Sequence, residues 1–484
     1  MKNTLTFLLA LSLTVSANAT HLMGGQISTT YINSDSSGSN YLLELDLYRD
    51  TLGIDVNTYQ EVEIWSLDVM GNYNLISTST LTLGASGSVA TMSSVYGVEI
   101  YHFTDSITFP SNGNYIVKWS NCCRNMAILN MSQPGSEDMS LVTYVNVNNL
   151  DPNSSPTFLA PPVIYLPVNN IFQYNPLPYD LDGDSLVWDL TVPLSHSSNP
   201  PIPDTVSGYE FLSDTVLYSN STAPFSVNSV TGEITWDPKM IGNFVASLTI
   251  QEYRNGVLIG AMNRDMQFVV VSDTMNNTPI VSNMQTVPTN NLGHPYVKIA
   301  PGQNYQLHLL ASDQDLDDVV SMDAYGEPFS LSNPSTFNYI STGNNNEIEG
   351  TFSWNPDVNQ VRLEPYIVVF RTTDNFFYCD ETVQFEVTFN TSDASVENKF
   401  ELATIYPNPA KNTFTLPIIL NKSEKIQIDI YNALGIMVST KEINLSQGSH
   451  LLINNFNLEN GQYYINIVDE SGISIGIKKL LVLK

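Results

Sequence analysis

Two stretches of this chain, 118 positions apart, carry the same ordered pattern. Gly232-Glu233-Ile234-Thr235-Trp236-Asp237-Pro238 is matched by Gly350-Thr351-Phe352-Ser353-Trp354-Asn355-Pro356. Each follows an Asp-rich turn, Asp180-Leu181-Asp182-Gly183-Asp184 in one case and Asp313-Gln314-Asp315-Leu316-Asp317-Asp318 in the other. Each unit opens on a proline after a polar linker (Pro156, Pro279) and closes on apolar strands at 244–256 and 366–375. A repeat of roughly 100–120 residues built from short strands predicts two-layer β-sandwiches in tandem.

The rest of the chain reads the same way. Tyr41–Tyr48 begins with strand-like alternation, and 61–69, 97–109, 114–120 and 140–147 are further strand candidates between Gly, Asn and Ser turns. That block predicts a sandwich in preference to a barrel. Aromatic and β-branched residues favour strands and Gly, Pro and Asn favour turns, so the expected class is all-β. We divide the chain into a leader at 1–19, an N-terminal sandwich at 20–150, repeat units at 151–275 and 276–392, a linker at 393–404 and a terminal sandwich at 405–484. The formal net charge is −30, which argues against binding to nucleic acid or anionic lipid. It is unevenly spread: residues 400–484 balance seven acids with seven lysines, leaving 20–399 at −31.

Residues 1–19 read as a secretory signal peptide, with Lys2, an apolar core at Phe7–Val15 and Ala17-Asn18-Ala19 as the cleavage pattern. That core is about half of the ~20 residues a spanning helix needs, and no longer apolar run follows, so the chain is not expected to span a membrane. The C-terminus has strand alternation in IQIDIYN and YYINIVD, with turn signals at Asn432–Gly435 and Glu459-Asn460-Gly461. Its ordered motifs are Tyr406-Pro407-Asn408-Pro409-Ala410, a Tyr-Asn-Ala-Leu-Gly turn ending at Gly435, a strand opening at Gly461 and a basic final strand. Residues 405–484 thereby resemble the type A C-terminal sorting domain of type IX secretion cargo. The resemblance implies the type IX machinery as a partner, removal of the domain after export, and attachment of the body to surface lipopolysaccharide or its release.

The body resembles gliding-associated and Ig-like (cadherin-like) surface proteins of Bacteroidota. The residues that carry this are His21-Leu22-Met23-Gly24-Gly25-Gln26-Ile27, Leu45–Asp50 (LDLYRD) and Cys122-Cys123-Arg124-Asn125, then SPTFLAPP, DLDGDSLVW, VTGEITWDP and QEYRNG-to-NRDMQF over 155–268. The resemblance implies tandem Ig-like/cadherin-like sandwiches displayed outside the cell, and points to architecture more than activity.

The Asp turns are the main candidate chemistry. Calcium takes six to eight oxygen ligands, and carboxylates at alternate positions of a turn can converge on one ion. Asp180, Asp182 and Asp184 form one candidate set; Asp313, Asp315 and Asp317 form the other. Neither is an EF-hand loop, since Ser185 and Thr191 fall where Gly and Glu are required. Asp273, Asn276 and Asn277 before Pro279 are candidate linker ligands, and a solvated Asp turn is the alternative. Three cysteines allow a Cys122–Cys123 vicinal bridge or free buried thiols; a bridge to Cys379 would need the first and third body units to touch. The six histidines show no metal-enzyme spacing, and neither a G-x-S-x-G elbow nor a P-loop occurs. Trp236 and Trp354 are expected in cores, Tyr253–Gly256 as a hairpin turn, and Arg264 beside an acid. These features together predict a secreted, surface-attached, non-catalytic protein for adhesion or surface assembly, with calcium as its one candidate cofactor. It would engage a glycan or protein ligand. A carbohydrate-binding or carbohydrate-degrading protein is the alternative.

Overall fold

The computed structural model describes residues 22–482, apart from 52, 54, 69, 85–88, 91–96, 215–216, 221, 255, 273–275, 363, 375, 390–399, 403–404, 406–407, 409, 412, 421–422, 433–436, 447, 456–457 and 470–473. The leader, Asp273, Tyr406, Pro407, Pro409 and Gly435 lie outside the described residues. The chain is all-β, with short 3-10 turns as its only helical pieces among the described residues. The sequence alternation is visible as burial. Gly38–Asp50 runs buried and half-buried in turn, and Glu347–Trp354 repeats the pattern. A period of two places every second side chain on one core.

In the N-terminal unit, strands Leu22–Asp35, Gly38–Asp50 and Val98–Phe109 form one layer. Tyr73–Leu83, Tyr59–Leu67, Gly113–Cys122 and Asp138–Val147 form the other. The corner between the layers is a two-pair ladder, Thr82 with Thr104 and Leu83 with Phe103. Trp119, Leu141, Phe103, Leu45 and Leu47 fill the core between them. The second unit packs Ser185–Thr191, Gly242–Arg254, Val257–Val271 and the parallel strand Val163–Pro167 against Phe172–Tyr174, Ile234–Trp236 and Ser226–Val227. The third unit repeats the scheme, including a parallel strand: Tyr296–Ile299 runs along Tyr378–Val387 as Val163–Pro167 runs along Val257–Val271. Trp236 and Trp354 are almost wholly buried in the two matched cores. The C-terminal unit stacks Phe400–Leu402, Thr413–Leu420 and Gly448–Asn455 on Met437–Leu445, Glu424–Asn432, Gly461–Val468 and Ser474–Val482. Among the described residues, its core is formed from Ile405 onward, by Phe414, Leu416, Ile428, Ile465 and Val482 among others.

One sheet crosses the expected boundary at 150. The 15-residue strand Val257–Val271 pairs with Gly242–Arg254 along its length. It also takes Val145, Tyr144 and Thr143 on one stretch, and Gly25 and Gln26 on another. This strand of the second unit therefore closes the far side of the first, and the two units form one hydrogen-bonded body.

Candidate functional site

The motif residues of the body meet at that shared strand. Arg124 is fully buried and makes two 2.8 Å bonds to the equally buried Asp265. Its remaining donors reach the carbonyls of Asp138 and Leu194. Gly24 and Gly25 have no room for a side chain: a Cβ on either would lie 2.6 Å from the carbonyl oxygen of Asp265 or Asp46. Arg49, from LDLYRD, is buried against Glu99 and Asp55. Cys122 and Cys123 form a vicinal disulfide across a cis peptide bond, on a half-exposed turn leading into Arg124. Cys379 is a buried free thiol whose pKa burial pushes well up. Arg264 behaves differently from its expected pairing with an acid. It is buried, donates to the Ala160 carbonyl and lies 4.3 Å over the Phe158 ring. The buried acid partner belongs instead to Arg124, a role that local sequence does not signal.

The two Asp turns are wired alike. In the first, Asp180 Oδ1 accepts the backbone N–H groups of Asp182 and Asp184. Linker residue Ser154 donates its N–H to Asp182 at 2.6 Å, and Asn153 donates its side-chain amide to the buried Glu252. In the second, Asp313 Oδ1 accepts the N–H of Asp315 at 2.7 Å. Linker residue Asn277 donates its N–H to Asp315 at 2.6 Å, and Asn276 donates its side-chain amide to Asp374 at 3.0 Å. Asp180, Asp182 and Asp184 each bring an oxygen within 4.8 Å of the others, and so do Asp313, Asp315 and Asp318. Asp318 stands where the spacing had suggested Asp317. The Asp318 N–H bonds back to the Asp315 carbonyl at 3.2 Å, and this turn carries Asp318 inward and leaves Asp317 in solvent.

The clusters differ in one charge. Arg254 reaches into the first, with Nε and Nη2 on Asp184 at 2.8 and 2.7 Å and Nη1 on Asp151 at 2.6 Å. It also bonds Pro152 and Asn153 of the linker and lies 3.8 Å from Asp182. The sequence had suggested only a hairpin there; the signal was one arginine two residues after Glu252 in an arginine-poor body. Burial pushes Asp180 up to about 6 and Glu252 well above the usual carboxylate range. Asp313 is likewise pushed up to about 6, by burial and by the like charges of Asp374, Asp315 and Asp318.

A cleft of about 260 Å³ opens between the second and third units, lined by Tyr179, Asp180, Trp188, Glu327, Arg362 and Glu364. Arg362 is held by both oxygens of Glu327 and lies 3.6 Å over the Tyr366 ring. Deeper in the same junction, Asn175 donates its N–H to the buried Asp380, which Arg371 holds with two bonds.

In the C-terminal unit, Asn408 clasps the last strand, donating to the Lys479 carbonyl and accepting from the Leu481 N–H. Ala410 bridges to Val482. Gly461 opens its strand at φ 158. Residues 404–483 match the family described as a secretion system C-terminal sorting domain. No curated protein matches the chain. Among solved structures, similarity extends to a DUF4785 family protein from Legionella pneumophila (10% identity, 93% of this chain and 96% of that one, TM-score 0.18). It extends also to the BSP domain of a biofilm associated protein (9% identity, 99% and 85%, TM-score 0.16). The FN1–FN3 domains of chicken CNTN1 are a third (8% identity, 66% and 96%, TM-score 0.14). Overlap this slight says nothing about what the chain binds. The sorting domain marks a cargo of type IX secretion, exported to the cell surface or the extracellular space. Among the described residues, no helix is long and apolar enough to cross a membrane.

Proposed function

We propose that this type IX cargo is a non-catalytic display protein for adhesion or surface assembly, its body attached to surface lipopolysaccharide once the sorting domain is removed. The observation that carries the reading is where the body spends its charged side chains. Arg49, Arg124, Arg254, Arg362 and Arg371 are each paired with an acid within the chain, inside a unit or at a junction. Such pairing suits a stiff shaft and leaves the surface strongly acidic. A glycan array together with a polymer-hydrolysis screen on the full chain tests this. Binding without turnover is the expected result, and turnover of any polymer would overturn it.

The second reading, a carbohydrate-binding or carbohydrate-degrading protein, has the cleft beside Tyr179 in its favour. An aromatic ring beside carboxylates and an arginine is chemistry that sugars use. Loss of a glycan signal on Tyr179→Ala would place the ligand there.

A further inference from the structure

The two Asp turns are built on one plan, and the first is gripped by an arginine of its own unit, Arg254. From the position of Arg254 we infer that the chain binds a single calcium ion, at Asp313, Asp315 and Asp318, while the guanidinium of Arg254 serves as the fixed cation of the Asp180–Asp184 turn. In the second cluster Asp313 is only 6% exposed and its Oδ2 lies buried without a hydrogen-bond partner. An ionised oxygen in that state is expensive unless a cation meets it. The carboxylates of Asp374, Asp315 and Asp318 all bear on Asp313 with the same sign. No lysine or arginine among the described residues forms an ion pair with Asp313 or Asp315. Two residues beyond Asp374, where the second unit has Arg254 two beyond Glu252, stands Phe376, two-thirds exposed. Hard carboxylate oxygens on a turn, with linker amides beside them, fit calcium better than a softer metal.

The first cluster also holds oxygens without partners, Asp180 Oδ2 and Glu252 Oε1. An ion placed there would nevertheless meet the guanidinium that already grips Asp184 and touches Asp182, and like charges at that range repel strongly. The linker ahead of the second unit is thus tied by protein alone. The linker ahead of the third, through Asn277 on Asp315, is tied to an ion site.

Calorimetric titration of the chelator-treated full chain with calcium chloride tests the inference. One equivalent is expected. Asp315→Asn and Asp318→Asn should each weaken binding at least tenfold, and Asp182→Asn should leave it unchanged. Arg254→Gln should add a second equivalent. Zero or two equivalents in the wild type would overturn the inference, as would loss of binding in Asp182→Asn with retention in Asp315→Asn. Should Arg254→Gln fail to fold, the wild-type count and the aspartate variants still decide. None of these outcomes depends on whether the protein proves to be an adhesin.

Discussion

At the scale of single residues, the body is organised by buried charge pairs whose partners are far apart in sequence. Arg124 and Asp265 are the extreme case, since neither touches solvent and 141 positions separate them. Removing one partner of such a pair leaves an uncompensated charge in a dry site, which costs about 3–5 kcal/mol. Asp265→Asn is therefore expected to lower the midpoint of urea unfolding sharply; a shift within error would show that the pair contributes little. Gly232 is a second sensitive position. It sits at φ 73, and a Cβ there would lie 2.5 Å from the Trp188 ring. Gly232→Ala is expected to destabilise the second unit by more than about 1 kcal/mol, because strain and overpacking add. Thermal melting followed by Trp fluorescence reads that change. These roles were only partly legible. The glycines and arginines stood out as motif residues, but their partners lie on strands that no local pattern connects.

At the scale of elements, what the sequence made visible follows from period. Alternation located the strands, and the repeated Gly-to-Trp segment located two equivalent cores, because both signals are local. The pairing of Gly25 with Asp265 is not local, so the sheet that crosses position 150 left no trace in periodicity. The Asp turns show the same limit at finer grain. A one-residue difference, Asp318 for Asp317, depends on a backbone bond that spacing does not encode. The junction of the second and third units adds a dependence on pH. Glu233, beside Trp236, and Glu381, on Tyr378–Val387, repel one another across it. Burial pushes them up to about 7 and about 8 respectively. Asp380, held by Arg371, and the Cys379 thiol also face this patch. Because the two glutamates keep protons in the folded state that an unfolded chain loses near pH 4.5, stability falls as pH rises from there through about 8. Melting in chelator at pH 5.5 and 8.5 is expected to show the higher midpoint at pH 5.5. Glu381→Gln should shrink that difference, and an unchanged difference would remove the glutamate pair as its cause.

At the scale of the molecule, the chain divides by charge and by core. Residues 400–484 sum to zero, while 20–399 carry −31. Among the described residues, the sorting domain has a core of its own, and its contacts with the body include the Lys479–Asp189 ion pair and the tyrosines Tyr253 and Tyr464. An exposed pair of that kind contributes at most about 1 kcal/mol. The body should therefore neither need the domain to fold nor hold it tightly, which is consistent with the removal of the domain proposed above. Deleting residues 405–484 is accordingly expected to separate two outcomes. The truncated chain should keep the melting midpoint and calcium stoichiometry of the body, yet be retained inside the outer membrane instead of reaching the surface. A large drop in the midpoint would mean that the sorting domain is part of the body's fold. Arrival of the truncated chain at the surface would mean that the body carries a second export signal.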